Sequence, residues 1–104
     1  MIPITHELDI SEDYADAIIR GTLTTELRMD NRRYAIGDII KYVYVSNGRP
    51  VLDNPILNKR YKITYLFRSW GLKDNWVAFS IKEITDEEES PQVVTREVRY
   101  ESSN

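Results

Sequence analysis

Three stretches of this chain alternate between apolar and polar residues, as strands with one buried face do. They cover residues 2–10, 59–68 and 76–84. His6 falls on the apolar face of the first stretch, so we expect it to be hydrogen-bonded in a packed core rather than catalytic. The residues on the apolar faces of the second and third stretches are Tyr61, Ile63, Tyr65, Phe67, Val77, Phe79 and Ile81.

A fourth alternating stretch, between Gly21 and Asp38, carries more charge than the others. With a period of two, one face holds Leu23, Thr25, Leu27 and Met29, and the opposite face holds Thr24, Glu26 and Arg28. We expect the first face to be core and the second to carry polar chemistry. A carboxylate and a guanidinium two residues apart can pair with each other or present donors and acceptors to a polar ligand. The sequence leaves both possibilities open.

A helix of about ten residues is predicted before this charged stretch. Ser11 can cap its start, the acidic residues that follow suit the positive end of the helix dipole, and Gly21 supplies a left-handed stop. The apolar stripe expected on the helix consists of Tyr14, Ala15, Ile18 and Ile19.

The most apolar run, residues 39–45, predicts a central strand that is buried on much of both faces. An Asn-Gly turn signal at residues 47–48 opens a long hairpin loop that extends to Asn58. Pro50 and Pro55 argue against a regular strand inside this loop.

Together these patterns give five or six strands and one early helix. Because the strands cluster without intervening helices, they exclude a doubly wound parallel sheet. They favour a small mixed β-barrel with the helix packed on one side, which is an α+β fold that is mostly β.

Composition limits the chemistry that the chain can perform. Its 104 residues, 41% of them hydrophobic, are enough for one core. Zero cysteines and one histidine argue against disulfides and metal sites, and we expect no cofactor. No apolar run approaches the length of a membrane span and no signal-peptide pattern opens the chain, so we expect a cytoplasmic protein.

Charge is unevenly distributed along the chain. Residues 20–82 hold twelve Lys or Arg against five acidic residues, whereas acidic residues dominate 1–19 and 83–104. This charge distribution is compatible with a positive surface that faces an anionic partner. An ordinary surface of mixed charges explains the same distribution equally well. We assign residues 1–84 to the domain and 85–104 to an acidic linker and tail, in which residues 93–100 form either a short edge strand or part of an unfolded tail.

The order of these motifs resembles the ASCH group of the PUA-like superfamily, and most closely the small bacterial and phage domains called DUF3850. The likeness spans residues 5–84 and rests on a helix ending in Gly, a G-x-x-T-x-E-x-R motif, and a Gly-Asp turn into an apolar strand. The matching residues are His6, Glu7, Leu8, Gly21, Thr24, Glu26, Arg28, Arg32, Gly37, Asp38, Ile63, Thr64, Tyr65, Gly71, Leu72 and Lys73.

The resemblance implies a PUA-like β-barrel with a cleft between helix and barrel, in a superfamily associated with RNA binding. One branch of that superfamily hydrolyses an amide of a modified cytidine with a Lys and a Thr from a G-x-K-T motif. Here the lysine position is Leu23, while Thr24 remains. A hydrolase that needs this lysine therefore lacks its amine in this chain.

The candidate ligand-binding residues cluster around the central motif and one later loop. Guanidinium groups suit phosphates and base edges, and tryptophans beside cations suit unpaired bases. The alternatives are a surface ion pair for Glu26 and Arg28 and ordinary packing for Trp70 and Trp76. The candidates are Thr24, Glu26, Arg28, Arg32, Arg33, Lys41, Arg68, Trp70 and Lys73.

Three functional hypotheses follow. The first is a noncatalytic domain that binds RNA or a nucleotide-like ligand in a cleft beside residues 21–33. The second is a hydrolase of a modified nucleoside or RNA, in which Thr24 and Glu26 orient water. The third is a protein-interaction domain whose acidic tail binds a basic partner.

Overall fold

A computed structural model describes residues 2–69 and 71–85. Trp70 and the predicted strand at 93–100 lie outside the described residues. The described part confirms an α+β fold that is mostly β. Its elements are β1 (Thr5–Ser11), α1 (Glu12–Arg20), β2 (Thr25–Met29), β3 (Ile39–Ser46), β4 (Pro50–Val51), a 3-10 helix (Pro55–Asn58), β5 (Tyr61–Phe67) and β6 (Trp76–Glu83).

The six strands of the described residues belong to one curled sheet with the order β1-β3-β5-β6-β2, and β4 pairs with β3. The β1–β3 pair is parallel, and the other pairs are antiparallel. A parallel pair needs a long crossover connection, and here α1 and β2 lie within it. Within the described residues no backbone ladder joins β1 to β2, so the sheet is a half-barrel with these two strands as its edges.

The core lies between α1 and the inner face of the sheet. Strand β3 is central, as predicted, and its Tyr42 and Val45 are fully buried. His6 is also fully buried, which confirms its place on the core side of β1. The buried cluster comprises Leu8, Ile10, Ala15, Ile18, Tyr34, Ile40, Tyr42, Val45, Ile56, Tyr61, Ile63, Val77, Phe79 and Ile81.

Helix α1 begins and ends as its sequence predicts. The Ser11 hydroxyl accepts a hydrogen bond from the Tyr14 N–H at 3.4 Å. Gly21 has a φ of 81°, and its N–H donates to the Ile18 carbonyl at 3.0 Å. The prediction that Tyr14 belongs to the apolar stripe is wrong, because Tyr14 is 63% exposed. The stripe centres on Ala15 and Ile18, and Tyr14 falls at its margin.

A bulge in β5 changes which side chains face the core. Ile63 pairs with Ile81, but the next paired residues are Tyr65 and Ser80, so Thr64 is an extra residue in β5. An extra residue shifts every later side chain to the opposite face. Leu66 therefore packs on the core, while Tyr65 and Phe67 point outward. The prediction that these two aromatic residues share a face with Tyr61 and Ile63 is wrong for this reason.

Candidate functional site

Strand β2 presents its polar row to the interior and its apolar row to solvent. Glu26 is buried and Arg28 is half-buried, whereas Leu27 is 56% exposed and Met29 is 53% exposed. The expectation that the leucine and methionine face forms the core is therefore wrong. The physical reason is that the interior supplies hydrogen-bond partners for both charged side chains.

The Glu26 carboxylate is the centre of an interior polar network. It accepts from Arg28 Nε at 2.9 Å and Arg28 Nη2 at 3.3 Å, and from the Tyr42 hydroxyl. Burial and the neighbouring charge of Glu26 raise the pKa of Tyr42, so its hydroxyl stays protonated and donates. Burial opposes the charge on Arg28, but the hydrogen bond and charge of Glu26 raise its pKa above the usual value. Glu26 and Arg28 thus pair with each other, which is one of the two arrangements that the sequence left open.

Two arginines span the open side of the half-barrel between β2 and β1. Arg28 Nη2 donates to the Asp9 carbonyl at 2.8 Å, and Arg32 Nη1 donates to the Glu7 carbonyl at 2.5 Å. Asp9 and Glu7 both belong to β1, whose edge carbonyls would otherwise need water. We call this contact the arginine seam. It explains why the guanidinium groups point toward the sheet.

Two further candidate cations also donate within the protein. Lys41 Nζ donates to the Leu57 carbonyl at 2.6 Å. Arg68 pairs with the Asp30 carboxylate and donates from Nη2 to the Tyr34 carbonyl at 2.7 Å. Arg33 and Lys73 are exposed. A ligand-binding role for these residues stays a prediction, but the structure does not bring them together at one cleft.

The Gly-Asp turn before β3 anchors the start of β1. Asp38 is buried, and its carboxylate accepts from the Ile4 N–H at 3.2 Å, the Ala35 N–H at 3.1 Å and His6 Nε2 at 2.8 Å. The His6 ring also packs against Tyr34, with ring centroids 4.6 Å apart. These contacts give Asp38 and His6 a structural role in joining the parallel strands.

A cleft of about 250 Å³ lies where the C-terminal end of α1 meets the sheet. Leu23 and Thr24 both line this cleft, and Thr24 is one of the predicted site residues. Gly21, the first residue of the G-x-x-T-x-E-x-R motif, also lines the cleft. The remaining lining residues were not predicted as site residues, because they come from α1, β5 and β6 and no sequence motif links them. They are Ile18, Ile19, Tyr61, Ile81, Lys82 and Glu83.

Tyr61 lines the cleft, and its hydroxyl is a buried polar group. Its side chain is 3% exposed, and its hydroxyl has no hydrogen-bond partner among the described residues. Burial, with a contribution from the charge of Glu83, raises the pKa of Tyr61 to about 12. The hydroxyl is therefore protonated at neutral pH and able to donate or accept. Leaving a buried polar group unpaired costs about 1–3 kcal/mol, so a bound partner that reached this hydroxyl would recover stability.

These features define a small α+β domain with a half-barrel sheet, an arginine seam and a cleft at the end of its helix. The model of the family described as "Domain of unknown function (DUF3850)" matches residues 5–81. The chain belongs to this family. A search of curated proteins finds no match. No described helix is long and apolar enough to span a bilayer.

Proposed function

We propose that this domain is a noncatalytic, PUA-like domain of the ASCH group that binds a nucleobase in the cleft at the end of α1. The base is either free, in a nucleoside or nucleotide, or an unstacked base of single-stranded RNA. The observation that carries the proposal is a cleft with apolar walls that Tyr61 lines, together with a buried Tyr61 hydroxyl that has no hydrogen-bond partner among the described residues.

Size and shape support a ligand of this kind. At about 250 Å³ the cleft lies just below the range of roughly 300–1,000 Å³ that accommodates drug-sized ligands. A flat base needs apolar surface against its faces and a few polar groups at its edge. Here Ile19, Leu23 and Ile81 supply apolar wall, while Thr24 and Tyr61 supply polar groups. Leu23 contributes packing surface at the position where an amide hydrolase would need an amine.

The charges around the cleft favour a base over a phosphate in its interior. The C-terminal end of a helix carries partial negative charge, and the end of α1 lines the cleft. Glu83 on the same wall is paired with Lys59, and Lys82 also lines the cleft, so we base the preference on the helix end. The helix end disfavours an anion and favours N–H donors. A base with an exocyclic amine, such as cytosine or adenine, should therefore bind more tightly than uracil.

The test is an amide NMR titration of the full chain with cytidine, adenosine and uridine in parallel. We expect chemical-shift changes centred on Ile18, Gly21 and Thr24, with uridine the weakest ligand. Inorganic phosphate alone should leave these amides unchanged. Absence of shifts at the cleft with all three nucleosides would contradict the proposal.

The variant Tyr61→Phe separates binding from folding. It removes an unpaired buried hydroxyl, so the free energy of unfolding should stay unchanged or rise. Loss of one neutral hydrogen bond to the ligand should weaken nucleoside binding about 2- to 12-fold. Tyr14→Phe is the matched control, because Tyr14 is 63% exposed on α1 and should leave binding unchanged. Wild-type nucleoside affinity in Tyr61→Phe would show that the hydroxyl does not contact the ligand.

A further inference from the structure

The outer face of the three neighbouring strands β5, β6 and β2 carries large side chains that no element of the described part covers. Tyr65 is 61% exposed and Phe67 is 37% exposed on β5, and Leu27 and Met29 are more than half exposed on β2. Single exposed apolar residues are normal on protein surfaces, but a contiguous group on one sheet face indicates a binding surface.

Strand register shows that these side chains are contiguous. Phe67 and Leu27 are both paired with Ala78 of β6, one from each side. Met29 pairs with the half-buried Trp76. Paired residues in an antiparallel sheet point to the same face, so one continuous surface runs across the three strands. We call it the aromatic face, defined by Leu27, Met29, Tyr65, Phe67 and Trp76.

Charge on the aromatic face has one sign. Lys62 of β5 and Lys82 of β6 are direct cross-strand partners at one end of it, and both are exposed. Within the described residues, the outward positions of these three strands include no Asp or Glu. Asp30, which follows β2 at the other end, is paired with Arg68. Among the described residues of these strands, an anionic partner therefore meets lysines and no outward-facing carboxylate.

We propose that the aromatic face binds single-stranded RNA by stacking unpaired bases on Tyr65 and Phe67, with the backbone phosphates beside Lys62. Exposed rings on a sheet, next to cations, are the arrangement that holds single strands without reading every base. The two ring centroids lie 6.4 Å apart, so neighbouring bases can each stack on one ring. The face lies outside the sheet, away from the unpaired Tyr61 hydroxyl, although Lys82 borders both surfaces.

Fluorescence anisotropy of the full chain with a labelled single-stranded RNA of about ten nucleotides, at low salt, tests this proposal. Tyr65→Ala and Phe67→Ala should each weaken binding roughly 5- to 150-fold, while Tyr65→Phe and Phe67→Tyr should retain it. Tyr14→Ala is the matched control, since Tyr14 is as exposed as Tyr65 but lies on α1. Lys62→Gln should lower the slope of log affinity against log salt by about one.

Wild-type affinity in both alanine variants, confirmed as folded by circular dichroism, would overturn the proposal. So would equal binding of the single strand and its duplex, because duplex bases are not free to stack on side chains. Analytical ultracentrifugation gives a further check: a wild-type dimer that Tyr65→Ala dissociates would make the face a protein interface instead. The cleft is tested separately, because aromatic-face variants should still bind cytidine as the wild type does.

Discussion

Strand β2 buries its charged face and exposes its apolar face, which is the reverse of the usual arrangement. The inner face places Glu26 and Arg28 in a hydrogen-bonded network with Tyr42, and the outer face exposes Leu27 and Met29. A strand normally buries its apolar row, because apolar burial is the larger stabilising term. Here the strand is at the edge of a half-barrel, and Arg28 of its charged row bridges to β1 as part of the arginine seam.

The difference between the two faces separates structural from functional roles. Side chains that the sequence marks as chemically interesting, Glu26 and Arg28, have their polar atoms engaged within the fold. Side chains that resemble ordinary core residues, Tyr65 and Phe67, are exposed. The inner network should therefore determine stability, and the outer face should determine binding.

Glu26→Ala should have the largest effect on stability. It leaves the Arg28 guanidinium and the Tyr42 hydroxyl without their acceptor in a largely buried site. We expect a loss of about 3 kcal/mol in the free energy of unfolding, at the lower end for a broken buried pair because Arg28 is 25% exposed. Urea denaturation measures it. Glu83→Ala is the control, since its exposed pair with Lys59 should contribute only about 0–1 kcal/mol. Equal losses in the two variants would contradict the network.

Tyr42→Phe should have the next largest effect. It removes one donor to the buried Glu26 carboxylate while keeping the ring in the core, so we expect a loss of about 2 kcal/mol. The same urea denaturation measures this loss. In a Glu26→Ala background the substitution should cost much less, because the acceptor is already gone. Additive losses in the double variant would show that the two side chains do not interact.

Alkaline pH should destabilise the fold by a smaller amount. The pKa values of Tyr42 and Tyr61 are raised in the folded state, chiefly by burial, whereas both groups titrate near pH 10 when unfolded. The stability that these two tyrosines contribute is thus fully present below about pH 10, and it is lost as the pH rises toward 12. At about pH 11 each tyrosine should account for roughly 1 kcal/mol. Urea midpoints across this range should fall less steeply in Tyr42→Phe than in the wild type.

The smallest effect should come from the outer face of β2. Leu27→Thr changes an exposed side chain to a β-branched one that suits a strand, so the free energy of unfolding should change by no more than about 0.5 kcal/mol. Leu8→Ala on β1, where the side chain is 1% exposed, should cost about 2–5 kcal/mol by comparison. Thermal or urea denaturation distinguishes the two. A loss in Leu27→Thr above about 1 kcal/mol would show that this face packs against something.

Local sequence patterns predicted the elements of the fold well. The Ser11 cap, the Gly21 stop and the apolar run of β3 each depend on residues close together in the chain, and all three are confirmed. The inward faces of β1 and β6 were also predictable, because alternation continues through each strand without interruption.

What the sequence could not reveal depends on contacts between distant residues. The Thr64 bulge is visible only from the pairing of β5 with β6, and the interior orientation of Glu26 depends on Tyr42 and on Asp9 of β1. The cleft likewise combines Thr24 with residues of α1, β5 and β6. A period of two separates the two faces of a strand, but it does not say which face is buried.

The orientation of β2 is the central claim, because both the arginine seam and the aromatic face depend on it. The most direct test is NMR of methyl-labelled protein with a soluble paramagnetic gadolinium chelate, which broadens exposed methyl groups. The structure predicts strong broadening of Leu27 and Met29 and little broadening of Leu8, together with a protected Arg28 Nε–H. Methyl groups of Leu27 and Met29 as protected as those of Leu8 would contradict the orientation.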